Sequence, residues 1–221
     1  MTTEEFEREF DISYNNIMSN AAPGIDAYEK SVFLTKAQEE IVAAIYDGSF
    51  EKTEKASEYL QILIVNEHLI QIGDVESQEK ISDNSKFFGF PSDAMFIIYE
   101  ALQTTNECGD SIIIPVRPIR HDEYHRIKNN PFRKARKTEA LRLVRGKYLE
   151  IVSTYSTYDY QIRYIRKPNP IILTNLATLA QDLTINGMQS VATSELPEEL
   201  HRAILDRAVQ LAAATYKQSQ N

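Results

Sequence analysis

The hydrophobic period of this chain changes twice, and those two changes limit the fold more than any other feature. Up to about residue 68 apolar residues recur at helical spacing. From Leu69 the apolar runs become short, rich in strand formers and separated by turn signals, and from Pro197 the helical spacing returns. Helices, then strands, then a helix is an α+β pattern. The expected architecture is an N-terminal helical bundle and a C-terminal helix, residues 1–68 and 190–221, with an antiparallel β-rich domain inserted at 69–189.

Within the first helical stretch Phe6, Phe10, Tyr14, Ile17 and Met18 form a stripe on a helix opened by Thr3 and ending near Ser19. Ala22-Pro23-Gly24 breaks it. Thr35-Lys36-Ala37-Gln38 reads as a capping box that starts a second helix, with Ala37, Ile41, Ala44 and Ile45 on its face and Asp47-Gly48 at its end. A third helix is expected over about 51–66, with Ala56, Tyr59, Leu60 and Leu63 inward. Strands are expected around Phe87–Phe90, Met95–Tyr99, Ile112–Val116, Ala140–Val144, Tyr148–Ser153, Tyr160–Ile165 and Ile171–Leu173. Asn106–Asp110, Arg145-Gly146-Lys147 and Ser156–Asp159 occupy the places of tight loops, and the broken alternation at Ile165 predicts a bulge or twist there. Pro197 followed by Glu198-Glu199 is a strong helix start, combining a fixed φ with negative charge at the positive end of the dipole.

Composition excludes several classes of function. No apolar run approaches the ~20 residues of a membrane span, and the acidic N-terminus is unlike a signal or transit peptide. One cysteine, Cys108, forms neither an intrachain disulfide nor a cysteine-based zinc cluster. His121 and His125 stand four apart, the spacing of a helical metal pair, but the surrounding residues do not match a His-Glu-x-x-His site. His68 and His201 are isolated, phosphate-loop and dinucleotide motifs are absent, and no carboxylate pair is singled out for acid–base work. No cofactor, metal or catalytic residue is assigned, and the chain reads as a non-enzyme.

Charge is informative. The net charge is −8, yet residues 1–110 hold 7 Lys/Arg against 22 Asp/Glu, and residues 111–221 hold 17 against 10. Such polarity suits head-to-tail self-association, in which one copy's acidic half meets its neighbour's basic half. The densest basic stretch, 117–147, carries Arg117, Arg120, Arg126, Lys128, Arg133, Lys134, Arg136, Lys137, Arg142, Arg145 and Lys147. It supports an alternative function as a DNA-binding accessory protein, although arginine forks serve acidic protein surfaces equally well.

Four segments carry a resemblance: Phe33–Val42 (FLTKAQEEIV), Asp122–Arg133 (DEYHRIKNNPFR), Arg163–Leu173 (RYIRKPNPIIL) and Glu195–Val209 (ELPEELHRAILDRAV). They resemble the connector-ring, or head–tail adaptor, proteins of crAss-like short-tailed bacteriophages, over about residues 10–215. That resemblance implies a virion structural protein of the neck or tail, assembled in the host cytoplasm. It implies a homo-oligomeric ring, usually of twelve copies, that contacts the portal protein and the next tail or ring protein. Genomic DNA would pass through its channel without sequence-specific binding. The candidate interface residues are Arg163, Arg166 and Lys167, ahead of the stiff Pro168-Asn169-Pro170, together with Arg133 and Arg136.

Overall fold

A computed structural model describes residues 1–18, 24–50, 58–72 and 80–218. The fold is α+β, with helices at both ends of the chain and an eight-stranded, mostly antiparallel sheet between them. It divides into two compact units, Met1–Leu63 with Lys167–Asn221, and Ile64–Arg166. Residues 167–189, placed with the strands by sequence, therefore group with the helices.

In the helical unit, α1 (Thr3–Met18) is capped one residue earlier than expected. Thr2 Oγ1 accepts from the Glu5 amide and the Glu5 carboxylate accepts from the Thr2 amide. Phe6, Phe10 and Tyr14 are buried, and the stripe runs out before Ile17, which is exposed. α2 (Ala27–Tyr46) begins nine residues before the expected start, because Asp26, and not Thr35, is the N-cap and forms the capping box with Glu29. Thr35 and Gln38 lie buried inside this helix and cap nothing. Asp47 caps its end and Gly48 turns the chain away at φ +76°, a conformation that favours glycine.

The last helix, α4 (Glu198–Gln218), follows Pro197 and buries Leu200, Ile204, Leu205, Ala208, Val209 and Ala212 against α1 and α2. Its opening is as the sequence predicts. Ion pairs lace the three helices together: Lys30 with Asp11 at 2.8 Å and Glu7 at 3.6 Å, Arg202 with Glu9 at 2.6 Å, and Arg207 with Glu40 at 2.6 Å. The expected third helix is not sustained to residue 66. Part of it, 51–57, lies outside the described residues; Gln61–Leu63 is a single 3-10 turn, and Ile64–Leu69 is a strand. Leu60 and Leu63 do point inward, but the β-branched pair Ile64-Val65 then pairs with the sheet.

The second unit contains β1 (Ile64–Leu69), β2 (Gln71–Ile72), β3 (Ser85–Gly89), β4 (Ala94–Thr105), β5 (Ser111–Pro118), the short helix α3 (His121–Ile127), β6 (Ala140–Arg145), β7 (Tyr148–Val152) and β8 (Asp159–Arg166). Their order is β1-β8-β4-β5-β6-β7-β3-β2. The two edge strands, β1 and β2, are separated in the chain by Ile70 alone, so the sheet curls until its edges meet. β5 is the other corner. Its first half pairs with β4 antiparallel, and only Val116–Pro118 pairs with β6, in parallel. Phe88, Leu102, Ile114, Leu149, Ile151, Tyr160 and Ile162 fill the interior. On the outer face of β6 and β7, Leu141, Leu143 and Val152 pack under Tyr124 and Ile127 of α3.

Three local expectations differ from the structure. The irregularity expected at Ile165 lies on its partner strand: the register with β8 slips between Ala94 and Phe96 and again between Ile97 and Tyr99 of β4. Ser156–Asp159 is not a hairpin loop, since β7 pairs with β3 and β6 while β8 pairs with β1 and β4; the segment crosses between them. Ile171–Leu173 makes one isolated bridge, Ile172 to Ala192, instead of a strand. The Arg145–Lys147 turn is as expected, with Gly146 at φ +59°.

Candidate assembly surfaces

The most elaborate polar constellation of the helical unit is a clasp between α2 and the extended segment after Lys167. Ser31, Thr35 and Gln38 occupy one buried face of α2 at i, i+4 and i+7. Opposite them run Leu173, Ile171 and Asn169, alternate residues of an extended chain. The Ser31 Oγ accepts from the Leu173 amide at 3.0 Å, and Thr35 Oγ1 accepts from the Ile171 amide at 3.1 Å. Gln38 Nε2 donates to the Asn169 carbonyl at 2.8 Å.

Every amide of this run is accounted for. Pro168 and Pro170 have no N–H. The Asn169 amide donates to Glu195 Oε1 at 2.7 Å, and the Ile172 amide to the Ala192 carbonyl at 2.8 Å. Ser194 Oγ donates to Gln38 Oε1 at 2.6 Å, which ties the approach to α4 into the same network. His201, on the first turn of α4, contacts the Leu196 carbonyl through Nε2 at 2.9 Å. Its pKa is held below the usual histidine range, chiefly by burial. Such a fully partnered network fixes one packing of an extended segment that has no sheet to join.

Two buried carboxylates sit in the β unit. Glu100 on β4 approaches Arg142 Nε on β6 at 2.9 Å and accepts a hydrogen bond from the Tyr160 hydroxyl. Burial raises the Glu100 carboxyl above its ordinary range, with Arg142 and Tyr160 opposing, and the Tyr160 hydroxyl is likewise pushed up by burial. Glu150, fully buried on β7, accepts from Ser85 Oγ at 2.6 Å and from the Ile81 amide at 2.7 Å, with Arg145 at 3.5 Å. These contacts tie β4 to β6 and β8, and β7 to β3. Among the described residues no cluster of His, Cys, Asp and Glu could hold a metal, and no helix is long and apolar enough to cross a membrane. His121 Nε2 instead contacts the Val144 carbonyl on β6 at 2.8 Å.

The basic run is largely neutralised by the chain itself. Arg117 and Arg136 pair with Glu139, Arg120 with Asp122, Arg133 with Glu123, Lys137 with Glu107, Arg142 with Glu100 and Arg145 with Glu150. Seven of its eleven cations are thus spoken for, which removes most of the charge that the DNA-binding alternative relies on. Glu100 and Glu107 come from the acidic half of the sequence, so part of the charge asymmetry is satisfied within one molecule. What survives follows the units: the helical unit holds 9 Lys/Arg against 18 Asp/Glu, the β unit 15 against 14.

The family model for phage tail ring protein 3/4 matches residues 1–221. The chain belongs to this family. It is 36% identical over 231 residues to ring protein 4/5 of Bacteroides phage crAss001, covering 98% of this chain and 94% of that protein. It is 39% identical over 223 residues to ring protein 3 of the same phage, covering 96% and 95%. The chain is therefore a structural ring protein of a crAss-like phage, as its resemblance implied.

Three of the four segments that carried the resemblance meet in the clasp: Phe33–Val42 supplies Thr35 and Gln38, Arg163–Leu173 the extended run, and Glu195–Val209 the Glu195 carboxylate. Sequence reasoning missed Ser31 and the joint role of Thr35 and Gln38. The available signal was three polar residues at i, i+4 and i+7 on an otherwise apolar helix face. Of the candidate interface residues, Arg163 is exposed on β8 and donates to Asn66 Oδ1 at 2.5 Å, Arg166 ends that strand and Lys167 follows it. Arg133 and Arg136 lie on the loop after α3, and β4 and β5 separate β8 from β6. The structure does not bring the two groups together.

Proposed function

We propose that this ring protein forms a homo-oligomeric ring, of twelve copies, that links the portal vertex to the tail and surrounds the DNA channel. Membership of the ring family along the whole chain carries this reading. The division into an acidic helical unit and a nearly neutral β unit supports a heterologous contact repeated around a closed ring, because such a contact joins two different surfaces. The protein's role is mechanical, its neighbours are the portal protein and the next ring or tail protein, and DNA passes without sequence-specific recognition. Arg163, Arg166 and Lys167 face one neighbour, and Arg133 and Arg136 another surface. Quantitative mass spectrometry of purified virions tests the reading. About a dozen copies in step with the portal subunit are expected, and absence from the particle would overturn it.

A further inference from the structure

Phe132 is the most exposed aromatic side chain among the described residues, at 80% of its full area. A surface phenylalanine on a floppy loop would mean little, but this one is held on a rigid turn. Asn130 Oδ1 accepts from the Phe132 amide at 2.9 Å, and the Asn130 carbonyl accepts from the amides of Arg133 at 3.2 Å and Lys134 at 3.0 Å. Pro131 fixes φ between them. The backbone beneath the ring is therefore restrained, so docking has mainly the two side-chain torsions to order, a small cost for an aromatic anchor. Exposed Lys128, Arg133 and Lys134 stand within four residues of it in the chain; Arg133 lies 3.8 Å from the Glu123 carboxylate, and among the described residues neither lysine has an ion-pair partner.

A complementary surface exists on the helical unit. An open groove of about 810 Å3 runs between the start of α1 and the chain leading into α4, with Val191, Ala192, Leu196 and Pro197 supplying apolar wall. Glu5 and Glu198 stand in it, the Glu198 side chain 90% exposed, and Glu4 and Glu199 flank them. Two helix N-termini and the terminal amine offset about two units of that charge, since each dipole end is worth about half a positive charge. Four carboxylates leave the rim negative. Val191 is half exposed and Leu196 buried, so the groove has an apolar wall and an acidic edge.

We infer that the Phe132 turn of one copy enters the Val191–Pro197 groove of the next, with Arg133 and Lys134 against Glu198 and Glu5. The partner is a second copy of this chain, because an apolar tip with cations beside it in the chain and an apolar groove edged by carboxylates belong to different units of the same chain. Repeating such a contact generates a ring or a filament. This inference rests on the proposed ring.

The test places a benzophenone photo-crosslinker at position 132 in the chain incorporated into phage particles and maps the products by mass spectrometry. Crosslinks to residues 1–5 or 191–201 of a second copy are expected. Crosslinks to the portal protein, to another surface, or to nothing would overturn the docking while leaving the ring intact. Absence of the chain from particles would remove the ring and the docking together. A charge swap gives a second readout. Arg133→Glu raises the concentration needed for self-assembly at least tenfold, and adding Glu198→Lys to the same chain brings it back. Failure of the pair to restore assembly, with the thermal midpoint unchanged, counts against the contact.

Discussion

Gln38 is the residue whose removal tests the clasp most directly. Its side chain is fully buried, donates to the Asn169 carbonyl at 2.8 Å and accepts from Ser194 Oγ at 2.6 Å. Gln38→Ala cuts both bonds. Ser194 is buried; its oxygen keeps the Leu196 amide at 3.2 Å, but its hydroxyl proton loses its acceptor, at a cost of about 1–3 kcal/mol. The Asn169 carbonyl belongs to an exposed residue, so water replaces the lost donor and the net loss is about 0.5–1.5 kcal/mol. Together the variant should lose about 2–4 kcal/mol from the helical unit. With a urea dependence of about 2 kcal/mol per molar, the unfolding midpoint falls by about 1–2 M. Circular dichroism at the helical band through a urea series measures it.

Gln38→Glu sharpens the test through pH. A buried carboxylate cannot donate to the Asn169 carbonyl, whereas the protonated acid can, so folding favours the neutral form and raises this group's pKa. The variant is then least stable above that raised value. It gains stability as pH falls through it and levels off below the ordinary glutamate range. Wild type lacks this extra slope. A midpoint shift below about 0.3 M for Gln38→Ala, or no pH dependence in Gln38→Glu beyond wild type, would refute the reasoning.

Glu100→Ala should cost the β unit about 3–5 kcal/mol, because it leaves buried Arg142 without its counter-ion; a two-probe denaturation showing less than about 1 kcal/mol would contradict this. Because the Glu100 pKa is raised on folding, its contribution is fully present below the ordinary glutamate pKa and declines as pH rises through the raised value, so Glu100→Gln should flatten the wild-type pH–stability curve above pH 4.5. For DNA, Arg126, Lys128, Lys134 and Lys147 are the basic-run cations without an ion pair among the described residues, so log K against log salt should be no steeper than about −4 for the isolated chain; a slope of −6 or beyond would revive DNA binding. Charge reversal at Arg163, exposed on β8, should weaken ring assembly while moving the unfolding midpoint by less than about 1 kcal/mol, as light scattering beside calorimetry would show.

How much of this was legible in the sequence depends on the range of the interactions involved. The starts of α1 and α4, the Gly48 stop, the Gly146 turn and six of the eight strands, β3 to β8, are set by caps, fixed φ angles and local apolar period, which neighbouring residues decide among themselves. The candidate arginines were visible as charges, but their consumption by Glu100, Glu107, Glu139 and Glu150 was not, since no local pattern announces which distant carboxylate will arrive. Thr35 and Gln38 imitate a capping box perfectly well until the Asp26 cap and the extended run at Asn169–Leu173 are seen.

By itself, then, the sequence determined a helical frame around a β-rich insert, its charge polarity and its resemblance to ring proteins. Tertiary structure alone decided that Ile64–Leu69 is a strand, that β1 and β2, one residue apart in the chain, take the two ends of the strand order, and that residues after Lys167 belong with α2. The reason is common to all three. A strand or an extended run makes its hydrogen bonds with a partner far along the chain, so its conformation is settled only when that partner is in place.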